Sequence, residues 1–240
     1  MLVIVPVSSH DAPLSRDFCN IINFFSPYAH DLLVVSRPSD RAHAENVFQK
    51  ISACFKKSSL YLFPVDGPSG WPEGPNFYWV ETITYLKSKD NRTPWFWMEL
   101  DTTPIDEGWL DALEDEYQHS RKDCLGVLQK NFASNSRHLV GVAVYPARLD
   151  LICDSWKSCM AVNIAFDFWC QGELVPRSAQ SNVLFHFFRT EDYRCTNLGL
   201  RGIDKTARPY GVRYDGVVPR NAMIVHGCID GSLARLILNE

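Results

Sequence analysis

Several familiar signatures are missing from this 240-residue sequence. It has no Gly-x-x-x-x-Gly-Lys-Ser/Thr, no Gly-x-Gly-x-x-Gly, no His-Glu-x-x-His and no Gly-x-Ser-x-Gly. Their absence sets aside P-loop kinases, Rossmann dehydrogenases, zincins and the common serine hydrolases. Cysteine is plentiful, at positions 19, 54, 124, 153, 159, 170, 195 and 228, but no Cys-x-x-Cys occurs and no His/Cys spacing matches a zinc site. Several of these cysteines sit in apolar stretches, where the thiol acts as a small hydrophobe, so they read as free thiols in a reducing compartment. No apolar run approaches the ~18 residues of a membrane span, and no membrane partner is expected. The apolar run at 2–7 is too short for a signal-peptide core and lacks a basic start and a small-residue cleavage site. The expected location is therefore the cytoplasm. An excess of positive charge is also missing: 24 Lys and Arg stand against 28 Asp and Glu, a formal net charge of −4. No global field draws the chain to nucleic acid or membrane.

What is present is apolar and aromatic. With 46% hydrophobic residues the chain can bury a sizeable core, and seven Trp is a high count for its length. Short β-branched runs at 2–7, 31–36, 59–65 and 95–100 read as strands. Helical spacing falls between them at 17–25, 42–55, 77–87 and 106–117, and the Gly/Pro-rich stretch 66–76 reads as a loop. This alternation predicts an α/β fold with a mostly parallel, doubly wound sheet, which binds ligands beyond the carboxyl ends of its strands. The second half is less regular. Strands are expected at 126–130, 139–145 and 183–188 and a helix at 150–158, followed by a long aperiodic stretch at 189–222. A single domain, residues 1–240, with a first half at 1–117 and an irregular second half at 118–240, is the simplest parse.

The most informative segment is Pro94-Trp95-Phe96-Trp97-Met98-Glu99-Leu100-Asp101. An aromatic run enters a core and ends on two acids one residue apart. If the strand continues through them, both carboxylates face the same side, with Cα atoms about 6.6 Å apart, and Thr102-Thr103-Pro104 ends the strand. Such a pair suits a divalent cation, or a cation bridged to phosphate. Near the C-terminus, His226 stands between an apolar run and Gly227, where close approach to a metal or phosphate is unobstructed. Between residues 186 and 220, seven basic residues outnumber four acids, a local excess that could meet an anionic ligand. Asp167, within Ala-Phe-Asp-Phe-Trp, is a carboxylate among apolar neighbours, where desolvation would raise its pKa.

Taken together, the alternating first half, Glu99-Leu100-Asp101, the following Gly108-Trp109-Leu110 and the late His226 resemble the GT-A class of nucleotide-sugar-dependent glycosyltransferases. The segment from residue 226 to 233 is similar to small phage-encoded members. The resemblance implies a first half that binds the nucleotide sugar and a second half that binds the acceptor. It implies Mn²⁺ or Mg²⁺ held by Asp101 and His226, with Glu99 acting on the metal directly, through water, or on the donor. Pro6, Val7, Ser8, Arg37, Asp66 and Asn76 would meet the nucleotide, a UDP-sugar being favoured. The class often places a Lys shortly after the late His. Here Cys228 and Ile229 stand there, so Lys205, Arg208, Arg213 or Arg220 would have to meet the diphosphate. Asp167 would be the general base of an inverting reaction, and a retaining one would need no such base. The acceptor implied by the phage-like tail is a 5-hydroxymethylated pyrimidine in DNA, with protein, lipid-linked and small-molecule hydroxyls as alternatives. A sugar nucleotidyltransferase and a non-catalytic sugar- or protein-binding module are the competing readings. Against the former, Val7-Ser8-Ser9-His10-Asp11 has neither the glycine nor the Arg or Lys of that class's first loop.

Overall fold

The structure is a computed structural model that describes residues 1–130, 136–186, 203–204, 213–214, 221–227 and 231–239. Its centre is a seven-stranded mixed sheet. Four parallel strands, β1 (Leu2–Pro6), β2 (Tyr28–Ser36), β3 (Phe55–Leu62) and β4 (Trp95–Trp97), lie in the order β3-β2-β1-β4. The sheet continues through β7 (Arg137–Tyr145), antiparallel to β4, then β6 (Cys124–Lys130) and β8 (Ser178–Gln180).

Strand alternation divides the core into two. Val3, Val5, Leu32, Val34, Phe96 and Met98 point to one face, covered by α1 (Ala12–Phe24), α2 (Arg41–Ile51) and α4 (Trp109–Ser120). Ile4, Leu33, Val35, Trp95 and Trp97 point to the other, covered by α3 (Glu73–Ser88) and by the short α5 (Phe166–Trp169) and α6 (Gln171–Leu174). Both faces are thus dry, which is why the parallel strands read as continuous apolar runs. Trp79, Trp95, Trp97 and Trp109 are fully buried, so much of the Trp content is packing.

A second, three-stranded sheet brings distant segments to the top of the first. β5 (Thr102–Pro104) pairs antiparallel with β12 (Ile224–His226), and β12 pairs parallel with β9 (Leu184–His186). A two-residue pair, β10 (Ile203–Asp204) and β11 (Arg213–Tyr214), is antiparallel. The final helix, α7 (Ser232–Leu238), packs on α1, where Arg235 pairs with Asp17. Gly231 makes this docking possible: it has φ +68°, and a Cβ there would collide with the Asp17 carboxylate. No helix among the described residues is long and apolar enough to cross a membrane.

Four expectations are corrected. The fourth strand ends at Trp97, and Met98 to Asp101 leave it through a turn closed by Thr102 N–H donating to Glu99 C=O at 3.0 Å. Thr102, Thr103 and Pro104 do not stop a strand; they form β5. Helix α3 starts at Glu73, so Gly74-Pro75-Asn76 belongs to its first turn, where proline needs no N–H partner. Residues 149–161 hold 3-10 turns in place of the expected α-helix.

Candidate active site

Strand order reverses between β1 and β4: the chain steps outward from β1 to β2 and β3, then returns to place β4 on the other side of β1. A crevice forms at such a reversal beyond the strand ends. Here it is a cavity of about 920 Å³, lined by Pro6 at the end of β1, by Ser8 and Asp11 after it, and by Glu99 and Asp101 after β4. That volume falls in the range of ligand pockets of roughly 300–1,000 Å³.

The turn after β4 and the register of β5 with β12 build the acidic centre. His226 is the register partner of Thr102, next in sequence to Asp101. Its Nε2 lies 3.3 Å from Asp101 Oδ1 and 3.5 Å from Glu99 Oε2. One ligand atom from each of the three residues lies within 4.8 Å of the others. The acids therefore converge as expected, although a turn and not an extended strand aims them. Trp97 Nε1 donates to Glu99 Oε1 at 3.2 Å and holds one carboxylate oxygen from below.

The electrostatics are those of a cation site. Burial alone would lower the His226 pKa, but Asp101 and Glu99 overcome it and push it up to about 10. Burial would raise Asp101; the charge of His226 wins, and holds it below the usual carboxylate range. Asp101 Oδ1 is buried, and its ion pair with the His226 imidazole is the one interaction it makes among the described side chains. Buried oxygens are rarely left so, and a divalent cation is the group such an oxygen, a second carboxylate and an imidazole fit.

The other residues singled out from the sequence divide by position. Pro6, Ser8 and Arg37 line the cavity. Ser8 Oγ donates to Asp11 Oδ2 at 2.7 Å. Arg37 Nε and Nη2 donate to Asp40 Oδ2 at 2.9 and 2.7 Å, and Nη1 reaches the carbonyls of Gly67 and Pro68. Val7 lies beneath the cavity with its side chain in the core, and its carbonyl accepts from Ser36 Oγ and Tyr78 OH. Asp66 is exposed and accepts from the Ser39 N–H at 2.9 Å. Asn76 is buried and fully committed: Nδ2 donates to the carbonyls of Cys159 and Ile164, and Oδ1 accepts from the Phe166 N–H. Its amide ties α3 to the segment leading into α5 and does not line the cavity. Lys205, Arg208 and Arg220 lie outside the described residues, as does the side chain of Arg213.

Asp167 sits at the start of α5. Burial raises its pKa to about 7, and the charge of Glu99 adds to the rise. Asp167 Oδ2 lies 3.8 Å from Nε2 of His138, a buried imidazole stacked on Phe168, whose own pKa burial lowers to about 4. At neutral pH this leaves a neutral imidazole beside a carboxyl group poised between its two forms.

The sequence reading did not single out Asp11, His186 or Trp71 as site residues. Asp11 lines the cavity, and burial together with Glu99 and Asp101 raises its pKa. Trp71 is 73% exposed and forms part of the cavity wall. His186 Nδ1 lies 2.9 Å from His226 Nδ1. A signal for His186 existed: Leu184-Phe185-His186 and Ile224-Val225-His226 share an apolar-apolar-His pattern, as neighbouring strands ending on one side would.

No protein-family model matches the chain, and no curated protein matches it in sequence. In structure it is similar to mouse xyloside xylosyltransferase 1 in its apo form, with TM-score 0.55, 12% identity, and coverage of 94% of this chain and 96% of that one. It is similar to the galactosyltransferase LgtC solved with donor and acceptor sugar analogues, with TM-score 0.50, 11% identity, and coverage of 95% and 87%. It also matches 45% of the bifunctional glycosyltransferase WbbM, with TM-score 0.56, 10% identity, and 94% of this chain covered. At these identities the likeness is one of fold: the chain has the GT-A-type fold expected from its sequence.

Proposed function

We propose that this protein is a metal-dependent glycosyltransferase that moves a sugar from a nucleoside-diphosphate sugar to a hydroxyl acceptor. The observation that carries this reading is the convergence of Glu99, Asp101 and His226 on the wall of a nucleotide-sized cavity. The neighbouring folds named above are glycosyltransferases, and one of them was solved with donor and acceptor sugar analogues.

Asp101 and His226 would hold Mn²⁺ or Mg²⁺, with Glu99 as a third ligand. A divalent cation bound there supplies positive charge against the diphosphate as the glycosidic bond breaks. Pro6, Ser8 and Arg37 shape the cavity floor for the nucleotide, and Trp71 offers a flat face at its wall. Asp167 is our assignment for the group that takes the acceptor hydroxyl proton, since burial brings its pKa near neutrality.

A UDP-sugar is the favoured donor. Hydroxymethylated DNA is the acceptor we place first, supported by the basic excess between residues 186 and 220. The test is a donor-hydrolysis screen over nucleotide sugars, with and without hydroxymethylated DNA, in Mn²⁺, Mg²⁺ or excess EDTA. The expected result is slow UDP-sugar hydrolysis that requires metal and transfer that requires acceptor. Transfer undiminished in EDTA would overturn the metal assignment. Transfer to another hydroxyl, with none to DNA, would replace the acceptor.

A further inference from the structure

His226 has two ring nitrogens with different neighbours. Nε2 faces Glu99 and Asp101. Nδ1 faces away from them, 2.9 Å from Nδ1 of His186. The contact is built into the backbone: His186 and His226 are register partners at the ends of the parallel strands β9 and β12. Their rings lie with centroids 4.6 Å apart and planes inclined by 36°. Two nitrogens at this distance share one proton, so one donates and the other accepts. A histidine that offers Nε2 to a cation carries its proton on Nδ1, and a fixed acceptor there selects that tautomer and locks the ring.

We propose that His186 is a positioning residue for the metal site: it accepts a hydrogen bond from His226 Nδ1–H, so that Nε2 is presented to the cation it shares with Asp101 and Glu99. This rests on the reading of that cluster as a cation site. The acceptor is an imidazole where a carboxylate or a backbone carbonyl more often serves. An imidazole adds no negative charge at the back of the ligand.

The test compares the full-length protein with H186F, H186L and H186Q. Phe and Leu fill space without a polar atom, whereas the Gln side-chain oxygen can accept from Nδ1–H. Mn²⁺ alone is titrated into each protein at pH 7.5 and free ion is read from its paramagnetic resonance signal; thermal melts check folding. Loss of such an orienting partner typically weakens metal binding about 10- to 100-fold. H186F and H186L are expected to raise the Mn²⁺ Kd by about that factor, and H186Q to stay within roughly threefold of the wild type. An unchanged Kd in the two apolar variants overturns the proposal. So does a Gln variant as weak as they are, which would mark His186 as a ligand or as mere packing. If D101A binds Mn²⁺ as the wild type does, or the wild type binds none, the metal reading itself fails and this inference falls with it.

Discussion

Asp101 Oδ1 stands 3.3 Å from His226 Nε2, and the pairing of Thr102 with His226 across β5 and β12 sets that distance. The proposed ligand set is thus assembled by a backbone ladder, so replacing one side chain should remove a proposed ligand without unbuilding the scaffold. Asp101→Asn keeps the volume and removes the charge. It is expected to lower metal-dependent donor cleavage by about 3 kcal/mol of transition-state stabilisation, roughly a hundredfold or more in rate. Comparing kcat at saturating Mn²⁺ with a thermal melt of the same variant checks this.

Asp167 carries a pH signature. Its pKa is raised to about 7, so the carboxyl is protonated below that value and can accept a proton only above it. If it is the general base, kcat should rise with pH through a midpoint at or below about 7, because a bound cation would move the midpoint downward. Asp167→Asn should flatten the profile and cost about 10²- to 10⁴-fold in kcat. A full pH–rate profile of both proteins decides it; an unchanged profile in the variant removes the assignment.

The same shift has a stability consequence of fixed sign. The folded protein holds this proton up to about pH 7, whereas the unfolded chain releases it near the ordinary carboxylate value of 3.8. Folding is therefore favoured by the group at low pH, and that contribution is lost as pH rises from about 4 through 7. In urea titrations, Asp167→Asn should be more stable relative to the wild type at pH 8 than at pH 4.5.

Asn76→Ala should behave as a fold mutant. It strips partners from the buried Cys159 carbonyl, the part-buried Ile164 carbonyl and the buried Phe166 N–H. Each unpaired buried group costs about 1–3 kcal/mol, so a loss of at least about 3 kcal/mol in denaturant titration is expected. The donor KM should be little changed under conditions where the variant remains folded.

Trp71→Ala should do the reverse. The side chain is 73% exposed, so stability should stay within about 0.5 kcal/mol. Stacking of a base on an aromatic ring is worth about 1–3 kcal/mol, and its loss would raise the donor KM by roughly 5- to 150-fold with kcat nearly intact. Steady-state kinetics over a donor series tests this, and an unchanged KM removes Trp71 from the donor site.

The parallel half of the sheet was legible because strands buried on both faces must be apolar at nearly every position, as in Val3 to Val5 and Leu32 to Val35. The end of β4 was not. No glycine or proline marks the turn at 98–101, and Met98 and Leu100 are as buried there as they would be in a strand. The start of α3 was not legible for a different reason. A Gly-Pro pair signals a loop, yet proline is also at home in the first turn of a helix, and only tertiary packing shows which applies. Of the site, Asp101, Glu99 and His226 were legible from residue type and surroundings. Asp11 and His186 reach the cluster through elements far off in the chain, and the apolar-apolar-His pattern of 184–186 and 224–226 gains meaning only once those strands are known to pair.

The lock of α7 against α1, with Arg235 on Asp17, has a bearing on synthesis. During translation the acids at 99 and 101 leave the ribosome long before the imidazole at 226, and α7, which packs on α1, emerges later still. A nascent chain should therefore hold two of the three proposed ligands well before the third, and the proposed cation site can close only after the strand of His226 has paired with β5.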